Sequence, residues 1–151
     1  MYEGIKMESN RTSTTELFRL ITHNPDKFRK YLKADECHFE GKTIDQFLSE
    51  LCEKYEVNAS KIIKFSLLSK SYVYQVFAGE RKPSREVIIR ICIVIGCSLD
   101  ELQHALMIAE EGILYPKVRR DAAIMSCVGG KLSLAETDEF LDEIGEQTLL
   151  Q

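Results

Sequence analysis

Helix breakers are scarce in this chain: three prolines and eight glycines in 151 residues. With so few breaks and no sustained alternation of apolar and polar side chains, a strand-rich fold is excluded and helices are expected throughout. Long apolar runs are missing as well. The longest nearly apolar stretch, Ile91 to Cys97, is far shorter than the ~18–20 residues of a membrane span. The first residues, Met1-Tyr2-Glu3-Gly4-Ile5-Lys6, have no apolar core of a signal peptide. There is no glycine-rich phosphate loop and no nucleophile elbow. His23, His38 and His104 belong to different expected elements, so no catalytic constellation is legible and the chain reads as a non-enzyme. Its five cysteines, an odd number without a leader, read as reduced thiols of a cytoplasmic protein rather than a disulfide framework. Cys37-His38 is the only Cys/His pair close in sequence, and it lacks the partners of a zinc site. Neither metal nor cofactor is expected.

An excess of positive charge is also missing. Lys and Arg number 20 against 24 Asp and Glu, a net −4, which removes the simplest signature of a nucleic-acid binder. The distribution is another matter. Residues 58–90 carry seven basic and two acidic side chains, net +5, whereas residues 41–57 are −2, residues 91–114 are −4 and residues 122–151 are −5. Residues 115–121 add a small +2. One basic stretch therefore lies between acidic ones.

What is present is an ordinary globular composition, 44% apolar and 29% charged. A chain of this size buries about 68–70% of its unfolded surface, enough for a core. Leu17, Phe18 and Ile21 suggest a short helix near residues 14–22. Asn24-Pro25 opens a second, with Phe28, Tyr31 and Leu32 on one face. The polar stretch Ala34 to Lys42 reads as a linker. Ile44, Phe47, Leu48, Leu51, Cys52 and Tyr55 then form a continuous helical stripe. Asn58 can cap a short helix carrying Ile62, Ile63 and Phe65. Ser69 can cap another carrying Val73, Val76 and Phe77, closed by Gly79. Pro83-Ser84 introduces Val87, Ile88, Ile91, Cys92 and Ile95, ended by Gly96. Ser98 and Glu101 form a capping box before a helix that Gly112 is expected to end. A further helix follows Tyr115-Pro116 and stops at Gly129-Gly130. A second capping box, Ser133 and Glu136, starts the last helix, which carries Phe140, Leu141 and Ile144 to Gly145.

A shift of 35 residues lays Arg85, Ile89, Cys92, Ser98, Leu99, Glu101 and Leu106 on Arg120, Ile124, Cys127, Ser133, Leu134, Glu136 and Leu141, with Glu86 on Asp121. Either capped helical hairpins simply look alike, or a second hairpin packs beside the first; two copies are too few for a solenoid. The expected organisation is an N-terminal helical arm and linker over residues 1–42, a central domain over 43–112 and a C-terminal helical hairpin over 113–151.

The informative stretch is Asn58 to Ser98. Two short helices joined by a tight turn, within the most net-positive stretch of the chain, have the anatomy of a helix-turn-helix. The segment Ser69-Lys70-Ser71-Tyr72-Val73-Tyr74-Gln75-Val76-Phe77-Ala78-Gly79-Glu80-Arg81-Lys82-Pro83-Ser84, with the close Gly96-Cys97-Ser98-Leu99-Asp100-Glu101-Leu102, resembles the lambda-repressor-like (XRE-type) helix-turn-helix family over about residues 43–110. Tyr72 to Phe77, Pro83-Ser84-Arg85 and Leu114-Tyr115-Pro116 with Arg119-Arg120-Asp121 also resemble a bacterial subgroup with a two-helix C-terminal extension. The resemblance implies an all-α, lambda-repressor-like domain that reads duplex DNA through the major groove in transcriptional control, as a homodimer. It implies that Lys70, Ser71, Tyr72 and Gln75 meet base edges and nearby phosphates. Gln suits adenine, and Lys suits guanine or phosphate. Arg81 and Lys82 are expected to reach the backbone, joined by Asn58 and Lys61 from the first helix.

Two positions depart from that family: Ile63 stands where a small residue is usual, and Leu67 where the turn favours Gly. Lys70, Arg81, Lys82 and Arg85 together form the expected DNA surface. Lys117, Arg119 and Arg120 either extend it or, with Asp121, enter internal ion pairs. The acidic last helix (Glu136, Asp138, Glu139, Asp142, Glu143, Glu146) is solvated surface or the dock of a protein partner. The competing reading is a protein-interaction or antitoxin-like module on the same fold, in which Tyr72 and Tyr74 face another protein.

Overall fold

Side-chain caps decide where the helices begin. The computed structural model describes residues 14–33 and 41–150, in two units, Met1–Gly41 and Lys42–Gln151. In the first unit, α1 (Thr14–His23) packs against α2 (Pro25–Lys33). Asn24 Oδ1 accepts from the Lys27 N–H at 3.4 Å, and Pro25 occupies the first helical position, where no N–H is needed. Leu20 is buried, while Phe18 and Ile21 are exposed. The Tyr31 side chain, the Cys37-His38 pair and the rest of residues 34–40 lie outside the described residues.

The second unit holds α3 (Ile44–Lys54), α4 (Ala59–Ser66), α5 (Lys70–Phe77), α6 (Arg85–Ile95), α7 (Leu99–Ile108), α8 (Arg119–Gly129) and α9 (Leu134–Glu143). No strand occurs among the described residues, and the fold is all-α. Asn58, Ser69 and Ser84 each accept a backbone N–H of the helix they start, from Lys61, Tyr72 and Val87. Ser98 with Glu101 and Ser133 with Glu136 form complete capping boxes.

The core is built around α6. Seven of its residues, Ile88, Ile89, Ile91, Cys92, Ile93, Val94 and Ile95, are buried, so this helix is apolar nearly all round. It packs on α3, α4, α7 and α9. The expected stripe of α3 supplies Phe47, Leu48 and Leu51, with Ile44, Cys52 and Tyr55 packed at its edge. On α4 the sequence pattern misleads at one place. Phe65 is 52% exposed, and Ser66 is fully buried beside Ile62.

Helix ends follow backbone conformation more than glycine position. Gly96 takes the left-handed region at the end of α6, with φ 83°. Leu67 takes it at the end of α4, with φ 60° and ψ 23°. The turn between α4 and α5 thus keeps the geometry a Gly would favour, at a cost of about 1 kcal/mol for an L-residue with a side chain. Gly112 does not end α7. The helix stops at Ile108, Glu110 takes the left-handed conformation (φ 58°), and the Glu111 N–H closes on the Leu106 carbonyl at 2.9 Å. At the end of α8 the same part falls to Lys131, φ 61°, rather than to Gly129 or Gly130.

The 35-residue echo is structural. α7 and α9 occupy equivalent positions, each behind a Ser/Glu capping box. The turn bond from the Cys97 N–H to the Cys92 carbonyl recurs from Leu132 to Cys127. The left-handed Gly96 recurs as Lys131. The second hairpin packs beside the first, α6 meeting α9 and α7 meeting α8.

Candidate nucleic-acid interface

α5 is positioned by its apolar face. Val73 and Val76 are fully buried, and Tyr72 and Phe77 pack at the edge of the same core. Lys70, Ser71 and Tyr74 are left exposed and Gln75 half-buried. Tyr74 is therefore the solvent-facing tyrosine and Tyr72 the packed one.

Past the helix, Gly79 turns the chain back with φ 79°. A Cβ there would stand 3.1 Å from the Asp45 carboxylate of α3, which would have to shift to admit it, and the positive φ favours glycine in any case. The turn delivers the Glu80 and Arg81 N–H groups to the Gln75 carbonyl at 2.9 and 3.3 Å. It also brings the Arg81 side chain onto α5. Arg81 Nε donates to Gln75 Oε1 at 2.9 Å, and the guanidinium lies 5.5 Å from the Tyr72 ring centroid. Tyr72, Gln75 and Arg81 form one cluster. Lys82 is exposed beside it, and Pro83 is buried.

The first helix of the motif presents Asn58 and Lys61, both exposed. The Asn58 side chain is engaged as the α4 cap, which leaves its amide nitrogen for other contacts. One cation that sequence reasoning did not place in the site belongs with them. Lys64 is exposed, one turn beyond Lys61, with its ammonium 5.3 Å from the Phe65 ring centroid. Its i,i+3 spacing from Lys61 is the signal that could have found it. Lys61, Lys64, Lys70 and Lys82 form no ion pair with any described residue.

Four arginines outside the cluster are spent on the fold. Arg85, expected on the DNA surface, donates from Nε to the Gly112 carbonyl (2.7 Å), and from Nη2 to the Ile113 carbonyl (3.1 Å) and Asp121 (2.9 Å). Arg90 bonds the Ser66 carbonyl at the end of α4, where a cation complements the helix dipole. Arg119 binds the Ile144 carbonyl and Glu146 at the end of α9. Arg120 pairs with Glu86, and those hydrogen bonds hold its guanidinium above its ordinary pKa. Arg85, Arg119 and Arg120 are therefore structural. Within residues 115–121, Lys117 remains exposed and forms no ion pair with a described residue. Charge sorting has a physical cause: arginine forks satisfy several carbonyls and carboxylates at once, whereas Lys61, Lys64, Lys70, Lys82 and Lys117 stay solvated.

Glu101 ties α7 to α3. Burial alone would raise its carboxyl. Hydrogen bonds from Lys54, Tyr55 and the Ser98 N–H outweigh that and hold it at about 2. Among the described residues, three cysteines are held toward the thiol form. Burial pushes the Cys52 thiol up to about 11, and Cys127 is raised by burial too. Cys92, fully enclosed, is raised by its contact with the Cys97 thiol and by burial. Among the described residues no cluster of His, Cys, Asp and Glu is arranged to hold a metal ion. An apolar cleft of about 190 Å³, lined by residues including Cys52, Val73 and Phe77, is smaller than the ~300 Å³ of an ordinary ligand site.

Residues 48–102, from within α3 to the first turn of α7, match the Helix-turn-helix family. The segment is a lambda-repressor-like helix-turn-helix domain. That family consists of non-enzymatic DNA-binding domains. The match takes in α4, the Leu67 turn, α5 and the Arg81-Lys82 loop, and so contains the whole cluster just described. No curated protein and no solved structure matches the chain. No helix among the described residues is long and apolar enough to cross a membrane.

Proposed function

We propose that this helix-turn-helix protein binds duplex DNA sequence-specifically and regulates transcription. α5 would enter the major groove, and Lys61, Lys64, Lys70 and Lys82 would hold the phosphates. The observation that carries the reading is the sorting of charge. The arginines of α6 and α8 are consumed internally, while these four lysines, all within or beside the motif, stay solvated. Lys70 and Ser71 at the start of α5, with Tyr72 and Gln75, are the base-proximal set. Asn58, Lys61 and Lys82 are the positioning set, and Arg81, bonded to Gln75, lies between the two sets.

A helix of eight residues contacts only a few base pairs, so useful specificity needs a second half-site. We therefore propose a homodimer on a two-fold operator, in the cytoplasm of a bacterium. Because α8–α9 already packs on α6 and α7, the second copy would dock elsewhere.

The test is selection of duplexes from a randomised library by the purified full chain, followed by salt-titrated binding. A recovered two-fold site bound more tightly than random DNA supports the reading. Failure to bind any duplex at low salt rejects it. Persistent co-purification with a protein instead would favour the protein-interaction alternative.

A further inference from the structure

The Gln75–Arg81 bond changes what the recognition helix can read. Alone, Gln75 would suit adenine, because that contact uses Oε1 to accept from the adenine amino group and Nε2 to donate to N7. Here Arg81 Nε takes one of the two lone pairs of Oε1 at 2.9 Å and crowds the approach of an adenine amino group to the other. An arginine carries donors only, so the amide atom it meets must be the oxygen. The orientation of the amide is thereby fixed. The guanidinium is itself held by the Gln75 amide and by the Tyr72 ring at 5.5 Å, while the backbone bond from the Arg81 N–H to the Gln75 carbonyl fixes the loop that carries it. Gly79, pinned against Asp45, sets the turn that makes this possible.

We propose that Arg81 and Gln75 act as one base-reading unit that selects guanine, rather than as a phosphate clamp beside an adenine reader. The groups left to the pair are Nη1 and Nη2 of Arg81, neither engaged with any described residue, Nε2 of Gln75 and one lone pair of Oε1. The three nitrogens are donors, and the Arg81 fork offers nothing else. Guanine offers two adjacent major-groove acceptors, O6 and N7. The amino groups of adenine and cytosine would meet donors with donors. Tyr72 serves by supporting the guanidinium, so its ring specifies nothing by itself but fixes the plane of the fork. This assignment rests on the DNA-binding reading above and deepens it.

The test is parallel library selection with the wild-type chain, Gln75→Ala, Arg81→Ala and Arg81→Lys. Far-UV circular dichroism checks that these variants fold. The position to follow is the one whose preference relaxes in Gln75→Ala. Wild type is expected to select guanine there over adenine by about 10-fold or more. Arg81→Ala frees Oε1, so the preference should move toward adenine. Arg81→Lys keeps the charge but not the fork, and should lose most of the guanine preference while retaining the salt dependence. Adenine selected by wild type, or a uniform loss across all sequences in Arg81→Ala with unchanged preference, would overturn the assignment while leaving DNA binding intact. No binding of any duplex by wild type would overturn the reading beneath it.

Discussion

Arg120 grips Glu86 through two parallel hydrogen bonds, Nη2 to Oε1 at 2.7 Å and Nη1 to Oε2 at 2.9 Å. Its neighbour Asp121 takes Arg85, the residue before Glu86, at 2.9 Å. Arg85-Glu86 and Arg120-Asp121, equivalent in the 35-residue echo, are thus cross-paired. The same Arg120 also donates from Nε to the Gln147 carbonyl. One guanidinium therefore ties the start of α6 to the start of α8 and to the segment after α9. Arg120→Ala should destabilise the second unit by about 2–4 kcal/mol, because it strands a partly buried carboxylate and a carbonyl. A double-mutant cycle with Glu86→Ala, read by urea denaturation, should give a coupling of about 1–3 kcal/mol. Additive losses would show that the pair does not hold the hairpin.

Leu67 sits in the left-handed region with 67% of its surface exposed, so its side chain returns little for the strain. Leu67→Gly should raise stability by about 0.5–1 kcal/mol, the relief of strain exceeding the entropy Gly adds to the unfolded chain. Leu67→Val, branched at Cβ, should lower it. Thermal melts of both variants check the two directions.

Gly79→Ala should cost about 1–2 kcal/mol or more, since φ is 79° and the new methyl would meet Asp45 at 3.1 Å. Asp45→Ala should relieve the steric part and leave the backbone part, so the double variant should be more stable than the sum of the two single changes predicts.

Acid should weaken the fold through Glu101. Its folded pKa, about 2, lies below the ordinary glutamate value of 4.5. The stability it contributes is therefore complete above the unfolded pKa and is lost as pH falls through 4.5 toward 2. Glu101→Gln should flatten the stability profile within that window. An unchanged profile would show that the hydrogen bonds from Lys54 and Tyr55 do not favour the ionised form.

The helices of the second unit are largely legible because their starts are written in local chemistry. Asn58, Ser69, Ser84, Ser98 and Ser133 each act as the cap that the sequence suggests. The match of residues 48–102 agrees with the resemblance read from Ser69–Ser84 and the Gly96–Leu102 close. Long-range pairing is less legible. Nothing local distinguishes Arg85 or Arg119, which serve carbonyls 25 or more residues away, from Lys70 or Lys82, which stay solvated. Helix ends mislead where Glu110 and Lys131, rather than the nearby glycines, take the left-handed turn. The Arg81–Gln75 bond is hidden for the same reason: it depends on the path of a loop, not on a residue type.

If the solvated lysines of the motif, not the arginines of the C-terminal hairpin, engage DNA, the salt dependence of binding separates the two groups. For a selected duplex, the slope of log K against log[salt] should fall in magnitude by about 0.9 for each phosphate no longer neutralised in Lys61→Ala, Lys64→Ala, Lys70→Ala and Lys82→Ala. It should not change in Arg119→Ala, whose guanidinium is spent on the end of α9. Unchanged slopes in the lysine variants, or a reduced slope in Arg119→Ala with the fold intact, would contradict the account.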